Sequence, residues 1–294
     1  MFPFKKILIT TDGSDKTGPS IIYGLDMAKV TGAEVTALCV IDESDYEDPM
    51  NTASPDSESV LYQQSMKAVG SIVDQGKAKG LHVRPLVISG IPASEIAQAS
   101  TDHDLTVMGT AGRTGISHLL LGSVAEKVIR SANSPVLVVH VGDYLKADRL
   151  TIKRILIPTD GSENTTTAIT QGIALAKVFG AEVTALSVAD QAVTSRSKAN
   201  EGVGQSSLEV CREATDYVAN EGRKLGLTVI PLILTGTPSD EIVKASVNYD
   251  LIVMGTVGRT GLAHIRLGSV AERTVRQAKC PVLVVRAKEA KTPV

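Results

Sequence analysis

Tryptophan is absent from this 294-residue sequence, and phenylalanine and tyrosine number only three and six. So few aromatics supply no row of platforms on which bases stack, which argues against single-strand nucleic-acid binding. Cysteine is equally sparse. Cys39, Cys211 and Cys280 are odd in number and far apart, fitting neither a disulfide framework nor a CxxC metal site. No sign of charge dominates, since 30 Lys and Arg stand against 32 Asp and Glu for a net charge of −2. The basic residues are spread along the chain, whereas binding driven by counterion release needs them clustered. No apolar run approaches the roughly 18 residues of a membrane span, and stretches such as Pro135–Val139 are far shorter. The opening residues Met1–Lys6 lack a charged region followed by an apolar one, so no secretory signal is expected and a cytoplasmic location is. What is present is a globular composition, 43% apolar and 21% charged, over a length that predicts about two domains.

The sequence is written twice. Lys5–Ser14 returns as Lys153–Ser162 at an offset of 148, and the heptapeptide Gly32–Leu38 recurs unchanged as Gly180–Leu186. Gly109–Glu126 recurs as Gly255–Glu272 at an offset of 146, with 13 of 18 positions identical. The change of offset places a two-residue deletion between about 190 and 226. A solenoid repeat is roughly 20–50 residues long, so this period is a whole domain and the chain a tandem duplication. The join falls near Gly142–Thr151, giving domains 1–144 and 150–294.

Each copy alternates short β-branched runs with amphipathic stretches. In the first, strands are predicted at Lys5–Thr11, Ala33–Ile41, His82–Ser89, Leu105–Met108 and Pro135–Val141. Helices are predicted at Ser14–Lys29, Ser57–Lys79, from Pro92, and at Ser123–Ser131. The acidic, Pro- and Ser-containing stretch Asp42–Pro55 reads as a loop. Alternating strands and helices, with strands apolar on both faces, imply a parallel sheet covered by helices on each side. Such α/β sheets bind ligands at the carboxyl ends of their strands.

Two loops gather chemistry at those ends. The first strand runs into Thr11-Asp12-Gly13-Ser14, repeated as Thr159-Asp160-Gly161-Ser162. The fourth runs into Gly109, Gly112 and Gly122-Ser123, repeated as Gly255, Gly258 and Gly268-Ser269, with the spacing Gly-x2-Gly-x9-Gly-Ser in each copy. Glycines let backbone N–H groups converge, and a helix start behind them adds unpaired N–H groups and positive dipole. The combination suits an anion such as phosphate. Ser123 and Ser269 stand where an N-cap hydroxyl would cap the helix or meet a phosphate oxygen. The loop is not a Walker A sequence, which requires GxxxxGK[ST], nor the GxGxxG turn that follows a first strand.

With these motifs the chain resembles a tandem universal stress protein of the ATP-binding subgroup, over nearly its whole length and with the motif intact twice. The resemblance implies two doubly wound five-stranded parallel sheets of the Rossmann-like, adenine-nucleotide alpha hydrolase-like class. It also implies strand order 3-2-1-4-5 and pairing through the last strands, an internal pseudo-dimer that also forms homodimers. It implies adenine nucleotide, ATP or AMP, as ligand, with Mg accompanying a triphosphate, and neither nucleic acid nor membrane as partner. By position, Asp12 and Asp160 match the acidic residue near the ribose and metal-phosphate region. Val40 and Val188 match the position whose backbone meets adenine, and Met108 and Met254 match an apolar wall. Gly109, Gly112, Gly122 and Ser123 match the phosphate-binding residues, as do Gly255, Gly258, Gly268 and Ser269, followed by Val124 and Val270. The first copy departs from the family at Thr10, where the second has Pro158, and the second copy differs at Gln191–Gln205.

Plainer readings stand beside these. Asp-Gly-Ser after a strand is also ordinary turn chemistry. Arg113 and Arg259 face either phosphate or solvent, and His118 and His264 fall between the glycines, where packing or solvent contact is the simpler role. His82, His103 and His140 occur in one copy only and read as structural, and Cys39 as a core residue. Phosphoryl transfer needs a group to orient water and one to neutralise the departing charge, and neither is evident here. The functional expectation is a nucleotide-dependent regulator with little or no hydrolysis. The alternatives are an interaction scaffold with structural nucleotide, or a slow ATPase.

Overall fold

A computed structural model of the chain describes residues 4–43, 57–110, 121–140, 151–190, 207–258 and 267–287. Two compact units, Met1–Leu150 and Thr151–Val294, divide it.

In the first unit, β1 (Lys6–Thr11) is followed by a 3-10 turn at Asp15–Thr17 and by α1 (Gly18–Thr31). Next come β2 (Glu34–Asp42), α2 (Ser57–Ala78), β3 (Val83–Gly90) and α3 (Pro92–Ala99). The unit closes with β4 (Leu105–Gly109), α4 (Ser123–Ser131) and β5 (Val136–Val139). The strands are parallel in the order β3-β2-β1-β4-β5. Placing β1 between β2 and β4 puts its carboxyl end at the point where strand order reverses, the position at which open α/β sheets leave a crevice. Helices α1 and α2 pack on each other and on the strands, and α3 and α4 form a second packed pair.

The second unit repeats the plan with β6 (Arg154–Pro158), α5 (Thr166–Phe179), β7 (Glu182–Asp190), α6 (Ser207–Lys224) and β8 (Val229–Gly236). It continues through α7 (Pro238–Ala245), β9 (Leu251–Gly255), α8 (Ser269–Gln277) and β10 (Val282–Val285). Its strands are parallel in the order β8-β7-β6-β9-β10. The expected α/β class, parallel sheets and strand order are therefore present in both copies.

The central strands carry the core. Ile7, Leu8 and Ile9 of β1, Leu105 and Val107 of β4, and their second-copy counterparts are fully buried. Each such aliphatic side chain contributes on the order of 1.5–3 kcal/mol. The amino end of β1 is pinned by Asp104, whose Oδ2 accepts the backbone N–H groups of Lys5 and Lys6 at 2.8 and 3.0 Å. Asp250 does the same for Lys153 and Arg154. These anchors fix the strand at the end opposite the loops of interest.

Two expectations need correction. The strands are not all apolar on both faces, because β3 and β8 are sheet edges and expose Arg84, Pro85, Ile230 and Pro231. Proline lacks the N–H that an inner strand needs, so an edge is where Pro85 and Pro231 belong. Nor does a helix begin at Ser14. The chain first makes a 3-10 turn, and α1 starts at Gly18, with Pro19 in its first turn, where a missing N–H costs nothing. The helix ends at Gly32, whose φ of 70° is the left-handed cap that any other residue adopts with strain.

Cys39 is buried in β2 as anticipated, and His103 is structural, contacting the Ala99 carbonyl at 2.7 Å and Thr36 Oγ1 at 3.0 Å. Among the described residues, no helix is long and apolar enough to cross a membrane.

Candidate functional site

The turn after β1 is built by its own side chains. Gly13 sits at φ 80°, which reverses the chain immediately after the strand. Asp12 Oδ1 accepts the Ser14 N–H at 3.0 Å and the Ser14 hydroxyl at 2.7 Å. Thr11 Oγ1 accepts the Gly13 N–H at 3.0 Å and pairs with Thr17 Oγ1 at 2.9 Å, while the Thr17 hydroxyl donates to the Ser14 carbonyl at 2.8 Å. The second copy reproduces every one of these bonds through Thr159, Asp160, Gly161, Ser162 and Thr165. The plain turn role of Asp12 and Asp160 is thus real, and it employs one carboxylate oxygen. Because Oδ1 is fixed, the direction of Oδ2 is fixed too.

In the second unit Oδ2 points at the glycine loop. A methyl group built on Gly258 collides with Asp160 Oδ2. One built on Gly255 comes within 3.2 Å of the Asn164 carbonyl oxygen, and one on Gly268 within 3.3 Å of the Thr256 carbonyl oxygen. Three motif glycines therefore stand where three pieces of backbone or carboxylate crowd the Cβ position. Asn164 ties the two loops together, its Nδ2 donating to the Gly258 carbonyl at 3.1 Å. Loops 94 residues apart in sequence meet there.

The helix behind each loop begins one residue earlier than a serine cap requires. Gly122 and Gly268 are the N-cap residues, with extended backbone and no side-chain cap, and Ser123 and Ser269 are the first helical residues, exposed. Of the two roles expected for these serines, capping the helix is therefore not the one they take. The Gly122 N–H is turned back onto the Thr110 carbonyl at 2.7 Å, and that of Gly268 onto Thr256 at 2.8 Å, a close approach that favours glycine at the cap. The cap carbonyl accepts from Glu126 at 3.0 Å and from Glu272 at 2.9 Å. The amides of the residues between, Ser123 and Val124 or Ser269 and Val270 among them, have no acceptor within the helix.

The remaining predicted residues that are described stand at strand ends and in the first turns of helices. Gly109 and Gly255 are the last residues of β4 and β9. Met108 and Met254 precede them and are buried. Val40 and Val188 are half-buried near the ends of β2 and β7, in register with Ile88 and Leu234. Val124 and Val270 are half-buried in the first turn of their helices. Gly112, Arg113, Arg259, His118, His264 and the Gln191–Gln205 stretch lie outside the described residues, as does most of Asp42–Pro55. Among the described residues, no group of three or more His, Cys, Asp or Glu is arranged to hold a metal ion.

Two features were not anticipated. Asn164 was one, and its only signal in the sequence is that the first copy has Lys16 at the equivalent place. The other is at the carboxyl end of the edge strands. Gly90 and Gly236 have φ of 152° and 156°, and the side chains of Glu95 and Glu241 lie over their Cα atoms, where a Cβ would stand 2.8 and 3.0 Å from Cγ. A glycine four places before the helical Ser-Glu or Asp-Glu pair is the trace it leaves in each copy.

Comparison with known proteins agrees with this architecture. The model of the universal stress protein family matches residues 3–140 and again 151–286. A universal stress protein of Methanocaldococcus jannaschii is 42% identical over 139 residues, spanning 46% of this chain and 82% of that protein. One of Mycobacterium tuberculosis is 24% identical over 288 residues, 95% of this chain and 96% of the relative. The crystal structure of a universal stress protein from Archaeoglobus fulgidus superposes with a TM-score of 0.73 at 23% identity, covering 97% of both chains. The chain belongs to the universal stress protein family and carries its domain twice.

Proposed function

We propose that each copy binds an adenine nucleotide, ATP or AMP, and that the protein acts as a nucleotide-dependent regulator with little or no hydrolysis. The observation that carries this reading is the crowding at Gly258. A connection that only had to turn from strand to helix has no need for a glycine pressed against a carboxylate whose other oxygen is locked by Ser162.

In this reading the amides of Gly109, Gly112, Gly122, Ser123 and Val124 receive the phosphates of the first site, and those of Gly255, Gly258, Gly268, Ser269 and Val270 receive the second. The exposed Ser123 and Ser269 hydroxyls, released from capping, are available to a phosphate oxygen. Arg113 and Arg259 add charge to the loops. The Val40 and Val188 backbone meets adenine, with Met108 and Met254 forming the apolar wall. Asp12 and Asp160, held by their serines, face the ribose and the metal-phosphate region. A Mg ion accompanying a triphosphate supplies charge neutralisation, and it typically keeps several waters and takes one or two carboxylates, a demand that one aspartate per site fits. These residues bind and orient. Hydrolysis further requires a side chain that positions water, and the sequence supplies no Walker lysine to assist.

The test is direct. Protein purified without added nucleotide is extracted with acid and the supernatant resolved by anion exchange, and the protein is then titrated with ATP and AMP by calorimetry. Resident adenine nucleotide, or saturable binding, is the expected result. Protein that is empty and also ignores both nucleotides overturns the reading.

A further inference from the structure

Of the 25 glycines in this chain, two follow aspartate, Asp12-Gly13 and Asp160-Gly161, and none follows asparagine. Both pairs form the turn after the first strand of a copy. An aspartyl–glycyl bond is where aspartate isomerises most readily, because no side chain on the next residue hinders ring closure. The glycine backbone nitrogen gives its proton to solvent and attacks Cγ of the aspartate, and one carboxyl oxygen leaves as water. The five-membered succinimide so formed takes up water again. Opening at Cγ restores aspartate, and opening at the main-chain carbonyl gives isoaspartate, with no other reactant consumed.

The fold cannot escape this chemistry by replacing the glycine. Gly13 and Gly161 sit at φ 80° and 76°, where any other residue is strained. Both are exposed, so water and base reach the bond. The structure instead occupies the reacting groups. The Gly13 N–H, whose proton must leave, donates to Thr11 Oγ1 at 3.0 Å, and the Gly161 N–H to Thr159 Oγ1 at 3.1 Å. These hydroxyls are buried, and each is held in turn by its pairing with Thr17 or Thr165, at 2.9 and 3.1 Å. The carboxyl group is held too. Its Oδ1 accepts the serine N–H and hydroxyl, at 3.0 and 2.7 Å from Ser14 and at 2.9 and 2.6 Å from Ser162.

We propose that Asp12 and Asp160 are modification sites, open to isomerisation to isoaspartate, and that the Thr11 and Thr159 hydroxyls hold them closed in the folded chain. Attack then requires the turn to open, and its rate follows the open fraction. Losing one hydrogen bond raises that fraction about two- to tenfold. Conversion has a consequence for the site. It carries the main chain through Cγ and leaves the α-carboxylate as the side group, so a converted second copy has no Oδ2 to face Gly258. The inference stands apart from the nucleotide reading, since it concerns bonds of the chain itself.

The experiment incubates the full chain near neutral pH, native and in urea. Isoaspartate at each bond is then counted by peptide mapping, in which the isomers share a mass and differ in retention. Both bonds are expected to convert in urea, and at least about tenfold more slowly in the native chain, where the turn opens rarely. Thr11→Val keeps the side-chain shape and removes the acceptor, so it is expected to speed conversion at Asp12 about two- to tenfold and leave Asp160 as it was. Thr159→Val is expected to do the reverse, and Thr11→Ser and Thr159→Ser, which keep the hydroxyl, to stay slow. Should a valine variant be too unstable to incubate, Ser14→Ala and Ser162→Ala loosen the carboxyl group instead and are expected to act in the same direction. Native conversion as fast as in urea overturns the proposal. So do valine variants that change neither bond, or both alike.

Discussion

Replacing Gly258 by alanine isolates the contact on which the site is built. The backbone of Gly258 is not in the left-handed region, so alanine brings no backbone strain and adds only a methyl group. That methyl collides with Asp160 Oδ2. The carboxylate cannot swing aside freely, because Oδ1 holds the Ser162 N–H at 2.9 Å and its hydroxyl at 2.6 Å. The glycine loop cannot withdraw freely either, because the Gly258 carbonyl is held by Asn164 at 3.1 Å. Relief therefore costs at least one hydrogen bond to a charged group, about 1.5–3 kcal/mol. Reduced freedom of the unfolded chain returns about 0.4–1 kcal/mol, so the second unit loses about 1–2 kcal/mol net. With Asp160→Ala in place the methyl meets no oxygen, and the added substitution then costs under about 0.5 kcal/mol, a coupling of roughly 1–2 kcal/mol. Hydrogen exchange read by mass spectrometry on the full chain follows the second-copy turn, with the first-copy turn as internal control. Additive behaviour of the two substitutions, or equal loss of protection in both copies, refutes the geometry.

Other consequences are simpler to measure. Gly24→Ala and Gly172→Ala each place a methyl 2.7 Å from an isoleucine Cδ1, of Ile9 and Ile157, and overpacking there lowers stability by about 1–3 kcal/mol in urea titrations. Lys79 pairs with the buried Asp26 at 2.5 Å, and the second copy has Leu225 and Ala174 there. Lys79→Met leaves Asp26 without its cation, destabilises the first unit by about 1–3 kcal/mol, and spares the second, visible as a split in the melt. Gly13→Ala forces a side chain into φ 80° and costs about 1 kcal/mol, and it weakens ligand binding at the first site alone.

The duplication made much of the fold legible. Runs such as Ile7–Ile9 and Val136–Val139 announce buried strands because they are apolar at every position, and α4 occupies the predicted Ser123–Ser131. The same rule misjudged β3. An edge strand shows one rim to solvent, and Leu86–Ile88 looks central until Arg84 and Pro85 are weighed beside it. The site was legible as two loops, since glycine spacing and Asp-Gly-Ser are local patterns. Their junction was not. The contact of Asn164 with Gly258 depends on which strands are neighbours, and no local pattern marks an asparagine that reaches 94 residues along the chain. The cap was missed by one residue because serine is a good cap in general, while here glycine holds that place, and in the second copy a Cβ on Gly268 would stand 3.3 Å from the Thr256 carbonyl oxygen.

The central claim, that both copies are nucleotide sites, is tested most directly by counting ligands. Calorimetric titration of the full chain with ATP is predicted to give two nucleotides per chain, one after Gly258→Val and none after Gly112→Val with Gly258→Val. A stoichiometry that ignores these substitutions, or no binding to the unmodified chain, contradicts it.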